Sequence, residues 1–167
     1  MRALGVIRSE HQGAVDEHSG RAINTNIEYL LEQPIEACQH IEAVSRFFGI
    51  DGWLVHIEND IIGGPDRIVR FIKWLKKTQG NDSIILVSDT INKHGRNIPQ
   101  NELNKHNSKL FKCADGILIN FGWSDNPDVT LEVTRKEAEK VHRNKDVYVN
   151  VDVSAQQSGG YYTGNVY

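Results

Sequence analysis

Gly49–Asn59, GIDGWLVHIEN, is the stretch whose reading decides the fold. A short apolar run that opens on glycines and closes on polar residues reads as a buried strand. Side chains along an extended chain alternate faces, so Leu54, His56 and Glu58 share one face and Trp53, Val55 and Ile57 the other. The spacing sets His56 and Glu58 about 7 Å apart along one face at the strand end. An imidazole and a carboxylate so placed form an acid/base pair. The plainer alternative is a hydrogen-bonded polar pair closing a strand.

Apolar runs and amphipathic runs alternate on either side of this segment. Ala3–Ile7 is predicted as a strand. Ile35–Phe48 has helical spacing, with Ile41, Val44, Phe47 and Phe48 as its apolar stripe and Gly49 as its stop. A further helix is predicted from Pro65 to Gly80, with Ile68, Phe71, Ile72 and Leu75 as the stripe. Ser83–Val87 is an apolar strand covered on both faces. A polar stretch, Asp89–Gln100, leads into a short helix near Asn104–Phe111. Gly116–Asn120 is the next strand. Thr134-x-x-Glu137 reads as a capping box opening a charged helix that runs to Arg143. Val147–Val153 is the last strand, with Asn150 and Asp152 on one face.

Strand–helix alternation of this kind means an α/β protein with a parallel sheet. Two architectures fit: an open doubly wound sheet, or part of a (β/α)8 barrel. Polar residues recur where strands end, at Glu58 and Asn59, Ser88 and Asp89, Asn120 and Asp152. In both architectures that end carries the site. No glycine-rich phosphate loop follows a strand, which counts against nucleotide binding. A complete barrel takes about 250 residues, so five strands in 167 residues make a partial one.

Bulk composition excludes several function classes. A hydrophobic content of 39% and a charged content of 25% belong to a soluble globular chain. A net charge of −3 gives no ground for nucleic acid or an anionic membrane as partner. No run reaches transmembrane length, and the N-terminus lacks the apolar core of a signal peptide. Cys38 and Cys113 lie far apart, in neither metal nor redox spacing, and read as small buried residues in a reducing compartment. The remaining histidines are scattered without ligand spacing, so no metal and no cofactor is expected.

Five segments, GIDGWLVHIEN, SDT, QNELNKHNSKLF, CADGILINFGW and DVYVNVDV, occur in an order and at spacings that resemble the endo-β-N-acetylglucosaminidases of glycoside hydrolase family 85. The likeness runs from about Phe47 to Gly164, and DGWL-x-x-IEN and DGILIN-x-x-W are its most specific pieces. It implies a (β/α)8 catalytic domain over residues 1–167, here lacking the first and last strands. It also implies a cytosolic enzyme that cleaves the β-1,4 bond of the di-N-acetylchitobiose core of N-glycans. The implied partner is an N-glycan or glycoprotein.

In substrate-assisted glycosidases the sugar's own 2-acetamido oxygen attacks its anomeric carbon, so no carboxylate nucleophile is required. By motif match Glu58 is the acid/base, which must begin the cycle protonated. The family's acetamide-orienting Asn corresponds to His56. A neutral imidazole can accept the acetamide N–H, and an imidazolium cannot. Asp89 matches the Asp of the family's Trp-Tyr-Asp segment, with Val87 and Ser88 in place of the aromatics, and Pro99 replaces a Trp. Asn101, Asn120, Trp123 and Asp152 complete the expected substrate contacts, Trp123 by stacking on a sugar face. Plainer roles are helix capping for Asn101 and packing for Trp123. The rival to the enzyme is a catalytically weak or inactive glycan-binding paralogue or fragment.

Overall fold

The computed structural model describes residues 2–9, 14–15 and 22–151. Strand β1 is Leu4–Ser9; β2 (Ala14–Val15) and β3 (Ala22–Ile23) form a small antiparallel pair. Helices α1 (Thr25–Glu32) and α2 (Pro34–Phe48) lead to β4 (Gly52–Ile57), and α3 (Asp66–Gln79) leads to β5 (Ile84–Ser88). Helix α4 (Ser108–Cys113) precedes β6 (Gly116–Ile119). A 3-10 turn at Phe121–Asp125, helix α5 (Pro127–Glu139) and a second turn at Asn144–Asp146 precede β7 (Val147–Val149).

Five strands form one parallel sheet in the order β1-β4-β5-β6-β7. Each new strand is added beside the previous one and the order never reverses. A doubly wound sheet reverses at its switch point, so this winding is that of the (β/α)8 class and resolves the choice between the two architectures. Residues in register point to the same side of a sheet. Trp53, Val55 and Ile57 therefore share a side with Ile85, Val87, Ile117 and Ile119, and all of these are buried with Phe71, Ile72, Leu75, Leu110 and Phe111 from the helices. The opposite side carries Leu4, Val6 and Tyr148 exposed at the two outer strands. At β5, the central and most apolar strand, the side chains of Leu86 and Ser88 on this side are buried as well.

Strand β4 and helix α3 match the predicted elements closely, and Gly49 ends α2 in the left-handed conformation at φ 68°, which only glycine adopts without cost. The predicted stripe of α2 is corrected. Phe47 and Phe48 are 82% and 69% exposed, and the helix instead buries Ala37, Cys38 and Ser45. The cause is Trp53. Its indole Nε1 donates to Ser45 Oγ at 2.9 Å, and its ring lies so close to Gly5 that a Cβ there would stand 2.4 Å away. A bulky ring on the strand thus demands small residues opposite it.

The capping box is also corrected. Thr134 lies inside α5, which begins at Pro127 behind Asn126. Proline is pre-shaped for the first helical position, and the long helix overrides the local signal. The Thr134 hydroxyl is buried and accepts from the Leu103 N–H at 3.0 Å, so it serves a loop rather than its own helix. The last strand stops at Val149, although the Asn150 N–H still donates to the Ile119 carbonyl at 2.8 Å. Sequence reasoning missed α1, whose start is marked by Asn24 accepting from the N–H groups of Asn26 and Ile27. Both cysteines are free, and burial pushes the Cys38 thiol up to about 12.

Arg143 closes the lower end of the sheet. Its guanidinium donates to the carbonyls of Phe111, Ala114 and Asp115 at 2.7–3.0 Å, pairs with Asp146 and lies over the Phe111 ring. Phe111 is in the last turn of α4, Ala114 is its cap and Asp115 follows it, so none of these carbonyls has a partner within the helix. Arg143→Ala is expected to cost about 2–3 kcal/mol, since three acceptors lose a charged donor at once. Urea unfolding of the variant beside Lys140→Ala, an exposed control, measures it.

Candidate active site

The open end of β4 builds the site. Because Arg8 and His56 are in register on β1 and β4, and Glu58 follows two residues on, three ionisable side chains meet on one face. The His56 Nε2 and Glu58 Oε1 are 2.8 Å apart, and the Arg8 guanidinium lies 3.9 Å from Glu58 Oε2. The side chains of His56 and Glu58 are 23% and 30% exposed, reachable from solvent but confined. The 7 Å backbone spacing is closed by the reach of the two side chains toward each other.

The backbone beneath the pair is held from both sides. The Glu58 N–H donates to Ser9 Oγ at 3.1 Å, and the Glu58 carbonyl accepts from Asn97 Nδ2 at 2.7 Å. The Asn97 N–H in turn donates to Asp60 Oδ1, and Asp60 pairs with Arg96. At the end of β5, Ser88 and, just beyond it, Thr90 share a hydrogen bond at 2.9 Å, and the Thr90 hydroxyl donates to the Ile57 carbonyl at 2.6 Å. The SDT segment thus uses its hydroxyls to tie β5 to β4. Asn59, next to Glu58, is 1% exposed and its amide finds no partner among the described residues.

Asp89 is fully enclosed, so it has no surface to present to a sugar hydroxyl. This differs from the direct substrate contact expected of it. Alternation turns Asp89 to the side opposite Ser88, against the main chain of Asn120 and Asn101. Neither carboxylate oxygen finds a hydrogen-bond donor of good geometry. Burial pushes the carboxyl up to about 6, and the main-chain groups of Asn120 and Asn101 oppose that only in part. A carboxyl raised in this way binds its proton more tightly folded than unfolded. Its stabilising protonation is therefore present at low pH and lost as pH rises from about 4 to about 6, a loss of about 2–3 kcal/mol. Thermal melts at pH 4 and pH 7 are expected to show this difference in the parent chain and a smaller one in Asp89→Asn.

Asn101 adopts a positive φ of 57°, and its side chain packs on Gly122 so tightly that a Cβ there would lie 2.5 Å from Nδ2. Asn120 caps the turn after β6 by accepting from the Phe121 N–H at 2.9 Å. Trp123, in that turn, is half-buried and donates from Nε1 to the Asn150 carbonyl at 2.9 Å. The ring is thereby fixed beside the end of β7. Asn101, Asn120 and Trp123 are thus gathered around the end of β6, and the pair at Glu58 stands at the end of β4. Asp152 lies outside the described residues. Arg8, Ser9, Thr90 and Asn97 were missed from sequence. Register on β1 points to Arg8, whereas Asn97 arrives through a loop with no periodic signal.

Among the described residues no group of three or more His, Cys, Asp or Glu side chains is arranged to hold a metal ion. No helix among them is long and apolar enough to cross a membrane. A groove of about 530 Å³ on the flank of α3, lined by Arg70, Lys73, Trp74 and Lys77, shares no residue with the strand ends.

The carboxyl of Glu58 and its polar neighbour stand at the C-terminal end of strands wound as in a (β/α)8 barrel, the end that carries the site in that fold. Residues 7–166 match the sequence profile of Glycosyl hydrolase family 85, and the chain belongs to that family. It is 30% identical over 135 residues to the cytosolic endo-beta-N-acetylglucosaminidase of Danio rerio, covering 77% of this chain and 18% of the relative. The enzyme of the same name from Homo sapiens is 31% identical over 117 residues, covering 68% of this chain and 15% of the relative. The chain therefore spans less than a fifth of the length of these relatives. In structure it is similar to the glycoside hydrolase domain of Endo-D from Streptococcus pneumoniae. The TM-score is 0.74 and the identity 16%, over 98% of this chain and 27% of the other.

Proposed function

We propose that this chain carries the acid/base of an endo-β-N-acetylglucosaminidase that cleaves the β-1,4 bond of the di-N-acetylchitobiose core of N-glycans. The observation that carries the reading is the His56–Glu58 pair on the open face of β4, in a chain of family 85. Glu58 protonates the leaving glycosidic oxygen while the acetamide oxygen of the same sugar bonds to C1. The product of that step is an oxazolinium ring. The Glu58 carboxylate then takes a proton from water or another hydroxyl as its oxygen opens the ring, with net retention. His56 occupies the position from which the acetamide N–H is oriented.

Trp123 offers a fixed ring for a sugar face, and Asn101, Asn120 and Asp152 offer hydrogen bonds to hydroxyls. Asp89 acts indirectly, by filling the space behind the ends of β5 and β6. The relatives named cytosolic support free or protein-linked N-glycans of the cytosol as substrates. A glycan-binding protein without turnover is the second reading, favoured by the enclosure of Asp89 and by Ser88 standing where the family carries an aromatic.

Mass spectrometry of a high-mannose asparagine-linked glycopeptide incubated with the purified chain decides between them. The expected product is the peptide bearing a single N-acetylglucosamine. Glycan binding with no mass change supports the second reading, and release of the whole glycan from asparagine overturns both.

A further inference from the structure

The groove on the flank of α3 arises from unequal helix lengths. Helix α3 has 14 residues and α4 only 6, about 21 Å against about 9 Å. The shorter helix leaves much of its neighbour's side uncovered. Arg70, Lys73, Trp74 and Lys77 follow one another at helical spacings of three and four, so they share one face of α3. With Val69, and with Lys109 from α4, they line a space of about 530 Å³. Val69 and Trp74 supply its apolar surface, both half-buried against the core. The Lys77 Nζ lies 4.6 Å from the centroid of the Trp74 ring, a cation–π contact that holds the two together.

Charge sets this groove apart from the rest of the surface. Asp66–Gln79 carries five cations and one carboxylate, in a chain whose net charge is −3. Arg67 pairs with Glu28, Lys76 with Asp115 and Lys109 with Asp66. Arg70, Lys73 and Lys77 are exposed and form no ion pair among the described residues. Like charges one turn apart oppose the helix that carries them. A row of three without a counter-charge therefore favours any ligand that neutralises it.

Along the helix axis the three cations stand about 4.5 Å and about 6 Å apart. A second helix with carboxylates at positions i, i+3 and i+7 repeats that spacing. Helices pack at axial separations of about 8–10 Å, within reach of lysine and arginine side chains. An apolar residue at i+4 of the incoming helix falls on the same face and meets Trp74 and Val69. An extended polyanion such as nucleic acid fits less well. The segment carries +4 and the whole chain −3, which leaves −7 for the remainder, so a long polyanion is repelled wherever it leaves the groove.

We propose that the groove between α3 and α4 docks an acidic helix of a partner protein, with carboxylates facing Arg70, Lys73 and Lys77 and an apolar side chain against Trp74. This is a helix-in-groove mode with charge setting the register. The groove shares no residue with the site at Glu58, so the proposal stands or falls apart from the reading of that site.

The test uses a helix-forming peptide of about 16 residues with Glu at i, i+3 and i+7 and Leu at i+4, titrated into the purified chain by calorimetry. A peptide with Gln in place of Glu is expected to bind at least about tenfold more weakly. Lys73→Glu is expected to weaken the Glu peptide about tenfold or more, and a peptide with Lys at the facing position to recover most of that loss. Lys73 is exposed, so its replacement does not endanger folding. Lys140→Glu, on α5, is expected to leave binding within about twofold, since exposed charges beyond a Debye length are screened. Tryptophan fluorescence locates the site, because the signal on binding is expected to vanish in Trp74→Phe. The proposal is overturned by absence of binding, by equal binding of the Glu and Gln peptides, or by binding that Lys73→Glu leaves unchanged. Tighter binding of a single-stranded RNA of about 20 nucleotides than of the Glu peptide also overturns it, in favour of a nucleic-acid surface.

Discussion

Glu58→Gln is expected to reduce turnover of the high-mannose asparagine-linked glycopeptide by about 1,000-fold, within the range assigned to a positioned acid/base. The substitution preserves shape. A glutamine amide can accept from or donate to His56 Nε2, and the main-chain bonds to Ser9 and Asn97 do not involve the carboxyl. Only the ability to give and take a proton is removed. The Arg8 contact that disappears is long and largely exposed, and such a pair contributes little to stability. Thermal unfolding of the variant is accordingly expected to match that of the parent chain. Single-turnover rates on the glycopeptide measure the loss. A variant that stays folded and retains most of its rate assigns the proton transfers to another group.

Gly52→Ala is expected to be the most damaging methyl addition in the sheet, at about 3 kcal/mol or more. A Cβ at Gly52 would lie 2.2 Å from the Ile84 carbonyl oxygen and 2.9 Å from the Ile84 nitrogen. Both belong to the backbone of β5 and cannot swing aside as a side-chain tip can. The new methyl would pry β4 from β5 at the start of the strand that carries His56 and Glu58, so loss of stability and loss of site geometry should travel together. Gly64 is the control. Its φ is +85° but nothing lies within 4 Å of its added Cβ, so Gly64→Ala bears only the left-handed strain, about 1 kcal/mol. Equilibrium unfolding in urea of the two variants tests the order. Equal losses would mean that backbone conformation, rather than strand spacing, governs this edge of β4.

Much of this architecture is legible in local signals. Alternation along Gly52–Ile57 assigns Glu58 and His56 to one face because a strand's side-chain period depends only on its own backbone. Helix α3 is equally legible: its stripe, its proline and its glycine all agree, and all four stripe residues are buried. Glu58 and His56 could be singled out because a polar pair ending an apolar strand stands apart from its surroundings. Arg8, Ser9 and Asn97 do not stand apart, since what makes them part of the site is the register of β1 and the path of a loop.

The misread elements share one physical cause. The stripe of α2 and the capping box at Thr134 are patterns within one segment, and each is overruled by a partner on another segment. Trp53 meets α2 at Ser45 while Phe47 and Phe48 stay exposed, and Leu103 takes the hydroxyl meant to open a helix. Asp89 follows the same rule, its enclosure being decided by the layers packed over β5 and β6.

By itself, then, the chain's sequence determines the parallel α/β class and the strand that ends in His56 and Glu58, because periodicity and strand-end polarity are written residue by residue. Tertiary structure alone decides that the sheet winds in one direction, that Asp89 is enclosed, and that the imidazole meets the carboxylate at 2.8 Å beside Arg8. Those depend on register and packing between segments tens of residues apart, which no local pattern encodes.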